Sequence, residues 1–327
     1  MKRLTQLATI TVVIAMMMGM VACNKSPSLR NNGHLLMWYY PNKALFQSTD
    51  GRKWTKVNDV QDWLLWLSAD SKGQLYASNL GTTPTITTSK DGKKWDKVAP
   101  NENNPQGDHG SYALCAGEKT LYALSSRGDF FVSEDGGSTW TKKTRPAAEG
   151  ARGAGDGFKG YCTVSPDDKT VLIQGWYFSP AGPVLATTTD KGDSWTTIPA
   201  PTERNEAMGI GFVGVGTGIV YADYDAVYRT TDNGKTWTKA TPEKLVAKDS
   251  KRNFYSYRKM VTDGDKIVVV VEAPGKDGGA DNKWPGATFY SKDGGATFEV
   301  LDLPWNTDPT PTVSDEYVSL TFVPTKG

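Results

Sequence analysis

Six aspartates are the first residues whose spacing invites a chemical reading. Asp50, Asp91, Asp135, Asp190, Asp232 and Asp293 stand in nearly the same phrase: STDGRKW (48–54), TSKDGKKW (88–95), SEDGGSTW (133–140), TTDKGDSW (188–195), TTDNGKTW (230–237) and SKDGGATF (291–298). A carboxylate can act as acid, base or metal ligand. Each of these, however, sits beside glycine between two strand-like runs, as in GDFFVSEDGGSTWTKK. Asp bonds readily to neighbouring backbone and Gly accepts positive φ, so the phrase reads as a hairpin turn. The Trp then opens the returning strand and is expected to fold over the hairpin into the gap to the next unit, a structural use of a large ring.

Other reactive groups are sparse. His34 and His109 are the only histidines, which rules out a His-rich zinc site, and no Cys–His spacing fits one. His109 beside Asp108 reads as a surface-loop residue, and one histidine cannot supply a Ser–His–Asp arrangement. Asp277 and Asp281 lie among glycines but lack the EF-hand spacing. No metal or cofactor is expected. Cys115 (SYALCAG) and Cys162 (KGYCTVS) are placed on neighbouring inner strands, which leaves open a bridge or two buried thiols.

The elements that position these residues follow from the repeat. The six aspartates are spaced by 41, 44, 55, 42 and 61 residues. Upstream of the turns lie further apolar runs in pairs, such as SYALCAG with TLYALSS and GIGFVGV with GIVYADY. Four strands per unit of this length predict an all-β, six-bladed β-propeller of four-stranded antiparallel blades. Only two strands, HLLMWYY and ALFQS, precede the first turn, and EYVSLTFV (316–323) is left over at the end. That last strand is expected to pair into the first blade and close the ring. No unassigned stretch remains to build a seventh blade.

The phrase resembles the Asp-box, Ser-x-Asp-x-Gly-x-Thr-Trp, of the bacterial-neuraminidase-repeat propellers, sialidases among them. The turns at Asp50 and Asp91 are one residue short between Asp and Trp, and the one at Asp293 ends in Phe298. The resemblance implies that the aspartates are scaffold and that ligands bind on the opposite face or along the channel. Sialidases clamp a carboxylate with three arginines, since Arg–carboxylate pairing is bidentate, and carry an Arg-Ile-Pro motif near the start. This chain has no Arg-Ile-Pro. Arg152, Arg204 and Arg258 fall near starts of later blades, with Glu203 and Asp156 as candidate acids and solvated loop charges as the plainer reading of all five.

The face opposite the boxes should carry the loops 100–111, 143–157, 176–182, 199–207, 240–253, 272–287 and 303–315. Three of the eleven tryptophans, Trp176, Trp284 and Trp305, fall there with Tyr177, Phe178 and Tyr224, near Arg145, Arg152 and Arg204. Exposed aromatics among arginines are what a protein-binding surface uses; Trp also stacks on sugars.

The opening residues set the expected compartment. Lys2 and Arg3 precede an uncharged run from Leu7 to Ala22, the pattern of a signal peptide. Met20-Val21-Ala22-Cys23 resembles the lipobox of bacterial lipoproteins, which implies cleavage before Cys23 and its acylation. Residues 1–22 are then signal peptide, 23–33 a lipidated cysteine with a flexible tether, and 34–327 the propeller. Asn24 suggests outer-membrane delivery in that family, facing the periplasm. Without Lys2 and Arg3, 35 basic residues stand against 36 acidic ones, a balance that argues for no nucleic-acid partner. The expectation is a non-catalytic envelope lipoprotein that binds another protein, as do Asp-box propellers without the sialidase arginines. Its membrane contact would be through the anchor alone. A glycan-acting protein, glycosidase or lectin, is the alternative.

Overall fold

The computed structural model describes residues 33–39, 43–49, 51, 53–60, 64, 66–78, 86–98, 113–125, 128–144, 158–165, 167–178, 181–202, 209–213, 218–222, 227–239, 256–272, 287–301 and 318–324. The expected signal peptide (1–22), Cys23 and the expected tether as far as residue 32 lie outside them.

Blade 1 takes β1 (His34–Tyr39), β2 (Ala44–Ser48) and β3 (Thr55–Asp59). Blade 2 is β4 (Trp66–Ala69), β5 (Leu75–Ser78), β6 (Ile86–Ser89) and β7 (Asp96–Lys97); blade 3 is β8 (Ala113–Ala116), β9 (Leu121–Leu124), β10 (Phe130–Ser133) and β11 (Thr141–Lys143). Blade 4 is β12 (Phe158–Val164), β13 (Val171–Phe178), β14 (Ala181–Thr188) and β15 (Thr196–Thr197); blade 5 is β16 (Gly209–Phe212), β17 (Ile219–Ala222), β18 (Val227–Thr230) and β19 (Thr238–Lys239). Blade 6 is β20 (Ser256–Asp263), β21 (Lys266–Glu272), β22 (Ala287–Ser291) and β23 (Glu299–Leu301). The last strand, β24 (Val318–Val323), pairs antiparallel with β1 from His34↔Val323 to Tyr39↔Val318 and becomes the innermost strand of blade 1. The six-bladed, all-β propeller and its closure by the final strand are as the repeat predicts.

Why the sheets stand in a ring is legible in their alternation. Successive side chains of a strand point to opposite faces, so a blade with neighbours on both sides is apolar on both. In β17, Val220 and Ala222 pack with Met260 and Ile267 of blade 6, whereas Ile219 and Tyr221 pack with Leu172 and Ile198 of blade 4. The described residues form one such cluster at each of the six junctions. Trp38 and Phe130 are fully buried within them, each worth roughly 2–3 kcal/mol relative to exposure.

The inner strands have junctions of their own. Ser319 Oγ of β24 accepts the Leu67 N–H of β4 at 2.8 Å, and Ser68 Oγ of β4 accepts the Ala116 N–H of β8 at 3.0 Å. Between β8 and β12 the link is covalent, a Cys115–Cys162 disulfide with Cα atoms 5.7 Å apart. Between β16 and β20 the approach is so close that a Cβ on Gly211 would lie 2.2 Å from Thr262 Cγ2. At the rim, by contrast, the outermost strands of blades 2 to 6 have only two or three residues, three of them ending in Lys97, Lys143 and Lys239. Short, lysine-bearing edges discourage pairing with another sheet.

Candidate binding face and central channel

The repeated turns all join the third strand of a blade to the fourth, so they share one face. Their chemistry is internal. At Asp135 the Ser133 hydroxyl donates to Oδ1 (2.8 Å), and Thr139 donates through its N–H (2.8 Å) and hydroxyl (2.6 Å). Asp190, Asp232 and Asp293 repeat the pattern with Ser194, Thr236 and Thr297. Donors aimed at a carboxylate favour its charged form. The Ser194 hydroxyl and N–H hold Asp190 down at about 2, and those of Thr236 do the same for Asp232. At Asp293 burial pulls upward, and the Thr297 and Ser291 bonds outweigh it to give about 2. In the shorter turn Asp91 accepts the Lys93 and Lys94 N–H groups instead. Asp50 lies outside the described residues.

The tryptophans face the preceding blade and not, as expected, the following one. Trp140 packs with Tyr76 and Ile86 of blade 2, and Trp195 meets Phe130 of blade 3 edge-on at 4.9 Å. Trp195 and Trp237 donate their N–H to Thr144 O and Pro199 O of the blade before, both at 2.9 Å. Trp54, Trp95 and Trp140 donate to glycine carbonyls of their own turns. Register is the reason. Val132 pairs with Thr141, which sets Trp140 opposite Ser133, on the face that Phe131 turns to blade 2. The turn's glycine leans the same way: Gly192, at φ 89°, would carry a Cβ 2.7 Å from Phe130 Cδ1.

Of the aromatic candidates for the opposite face the structure describes Trp176, Tyr177 and Phe178, with one correction. Residues 176–182 are not a loop: β13 runs to Phe178 and β14 begins at Ala181, with Trp176 opposite Pro183 and Tyr177 opposite Gly182. Pro183 is tolerated because β15 pairs only with Ala186 and Thr187, so β14 is an edge at that point. Trp176 is half-buried, facing the same side of β13 as Leu172 and therefore blade 5. Tyr177 and Phe178 close the strand on the expected face. Tyr224, Trp284, Trp305, Arg145, Arg152 and Arg204 lie outside the described residues. Blades 4 and 6 rise highest here: β13 and β20 have eight residues each, against four in β17 between them.

Along the axis runs a channel of about 120 Å³, lined by the innermost strands, including Trp66, Cys115, Tyr161, Met260, Thr262 and Phe322. Among the described residues its lining carries no charged side chain. A glycosidase site needs two carboxylates flanking the bond to be cut, and the described lining of the channel contains none. Among the described residues no three His, Cys, Asp or Glu side chains converge as metal ligands. Arg258 is the extra residue of a β-bulge between Tyr257 and Lys259 of β20, at the end away from the repeated turns. The inter-blade serines, Gly209 and Gly211 escaped sequence reasoning; the small residues of GIGF were the available signal.

No protein-family model matches the chain, and no curated protein matches it in sequence. Solved structures do match in fold. The crystal structure of a nidogen/laminin complex is similar over 90% of this chain and 100% of that one, with a TM-score of 0.61 at 9% identity. TolB from Acinetobacter baumannii is similar over 90% of this chain and 67% of that one (TM-score 0.57, 12% identity). A structural-genomics protein of unknown function from Bacteroides thetaiotaomicron is similar over 82% and 66% (TM-score 0.52, 14% identity). At such identities the likeness concerns the fold.

Proposed function

We propose that this chain is an Asp-box propeller lipoprotein of the bacterial cell envelope, acylated at Cys23, which binds another protein through the face opposite its repeated turns. One observation carries the reading. Among the described residues Asp135, Asp190, Asp232 and Asp293 are bound within their own turns, and the channel lining is uncharged. What remains for a ligand is the face where blades 4 and 6 stand high and where the Arg- and Trp-bearing loops are attached. Long loops on a rigid frame are where binding resides, and Trp and Arg dominate the energetics of protein interfaces.

The test is crosslinking in intact envelopes from a photoreactive residue at 284 or 305, with a residue at 138, in a repeated turn, as control. One defined protein captured from 284 or 305, and lost with Trp305→Ala or Arg204→Ala, supports the reading. Capture from 138 alone defeats it, as does turnover of any glycoside by the purified chain.

A further inference from the structure

The chain enters the propeller on the face of the repeated turns. His34 opens β1 opposite Val323, at the end where β2 leads into the first turn. Gly33 and Pro324 meet there, and the blade 2 turn at Gly73 lies against Pro324 O. This entry point stands beside an asymmetric charge distribution. Blades 1 and 2 carry eight described lysines against four aspartates (Asp59, Asp70, Asp91 and Asp96). The turn side of blade 4 offers Lys169 and Lys191 against Asp167, Asp168, Asp190 and Asp193. In the basic patch Lys56 pairs with Asp59, Lys72 with Glu118 and Lys94 with Asp96. Lys90, Lys93 and Lys97 are exposed and enter no ion pair among the described residues. A groove of about 470 Å³ beside these lysines is itself balanced in charge, lined by Lys90 and Lys94 against Asp91 and Asp96.

We propose that this lysine-rich surface of blades 1 and 2 rests on anionic lipid headgroups, so that the repeated turns look at the membrane and the opposite face looks away from it. The orientation rests on the reading of Cys23 as a lipid anchor; the headgroup contact stands separately. Nine residues, ten Cα–Cα steps, separate Cys23 from Gly33, with Lys25 and Arg30 and no acid among them. A chain of that length can span at most about 35 Å. The face at which it enters is therefore held close to the bilayer. The opposite face lies farther by the height of the blades, about 26 Å for an eight-residue strand. Bringing that face down would require the tether to cross both the height and half the width of the ring. Lysines so placed fall within the field of an anionic surface, which decays over about 10 Å.

A chain beginning at Asn24, which retains all six sheets, is sedimented with phosphatidylcholine vesicles with and without phosphatidylglycerol, at low and high salt. Binding is expected only with phosphatidylglycerol and only at low salt. Losing three lysines weakens it about a hundredfold, taking about fivefold for each, so Lys90→Glu with Lys93→Glu and Lys97→Glu abolishes it. Lys235→Glu with Lys239→Glu, on blade 5, leaves it unchanged. Absent binding, binding indifferent to the first set, or equal loss in the second overturns the proposal. The mass of the chain extracted from membranes reads acylation separately. An acylated chain whose soluble form ignores phosphatidylglycerol defeats the patch alone, and an unacylated chain that binds it defeats the anchor alone.

Discussion

Reducing the Cys115–Cys162 bridge should loosen the ring by an amount that follows from its position in the chain. The two residues are 47 apart in sequence and join the innermost strands of blades 3 and 4. In the chain-entropy model a closed loop of that length removes about 13.6 cal/mol/K from the unfolded ensemble, or about 4 kcal/mol at 25 °C. A domain of this size loses roughly 2 °C of melting temperature per kcal/mol, so the midpoint should fall by about 8 °C. The assay is thermal unfolding of the oxidised chain, the reduced chain and the Cys115→Ser/Cys162→Ser double variant. The double variant should melt with the reduced chain and ignore reductant. Cys115 is buried and Cys162 partly buried beside the channel, so a single Ser variant, which leaves one thiol unpaired, should resemble the double one. If reductant leaves the midpoint unmoved, or the native chain titrates with two free thiols, the covalent junction is absent and the reasoning fails.

Gly192→Ala should cost about 2–4 kcal/mol, since it adds a side chain at φ 89° and drives it to 2.7 Å from the Phe130 ring. Gly136→Ala, at φ 73° with nothing within 4 Å, carries backbone strain alone and should cost about 1 kcal/mol; equal losses in denaturant unfolding would discredit the inter-blade contact. In acid, the lowered groups Asp190, Asp232 and Asp293 contribute stability that is fully present above the ordinary carboxylate value of 3.8 and disappears as pH falls towards about 2. Melting temperatures should therefore drop between about pH 4 and pH 2, and the drop should flatten when all three are changed to Asn; an unchanged profile in that variant would refute the assignment.

The ring was legible because its signal is periodic. Asp, Gly and Trp at fixed offsets mark the third hairpin of each blade, and the leftover EYVSLTFV had one place to go. Handedness was not legible: nothing in SEDGGSTW says which neighbour Trp140 meets, because that depends on which side of the sheet its register position faces. Trp176 and Tyr177 read as loop residues because Ser179, Pro180 and Gly182 follow them, and the edge position of Pro183 is a fact of pairing with β15. Cys115 and Cys162 could be placed on inner strands but not in mutual register. The lysines of SKDGKKWDK were visible in the chain, yet whole-chain charge balance concealed them. Only the placement of blade 2 beside the entry point gathers them into one surface.

The shared first sheet also sets an order of assembly. While the chain is being made, β1 to β3 emerge first and must wait for Val318–Val323, the last strand to appear. Until then Met37 and Trp38, fully buried in the finished molecule, have no inner neighbour to cover them. A growing chain is thus an unlatched arc, exposed at its oldest segment and dependent on its youngest, and it is during synthesis that helper proteins or proteases would find it most vulnerable.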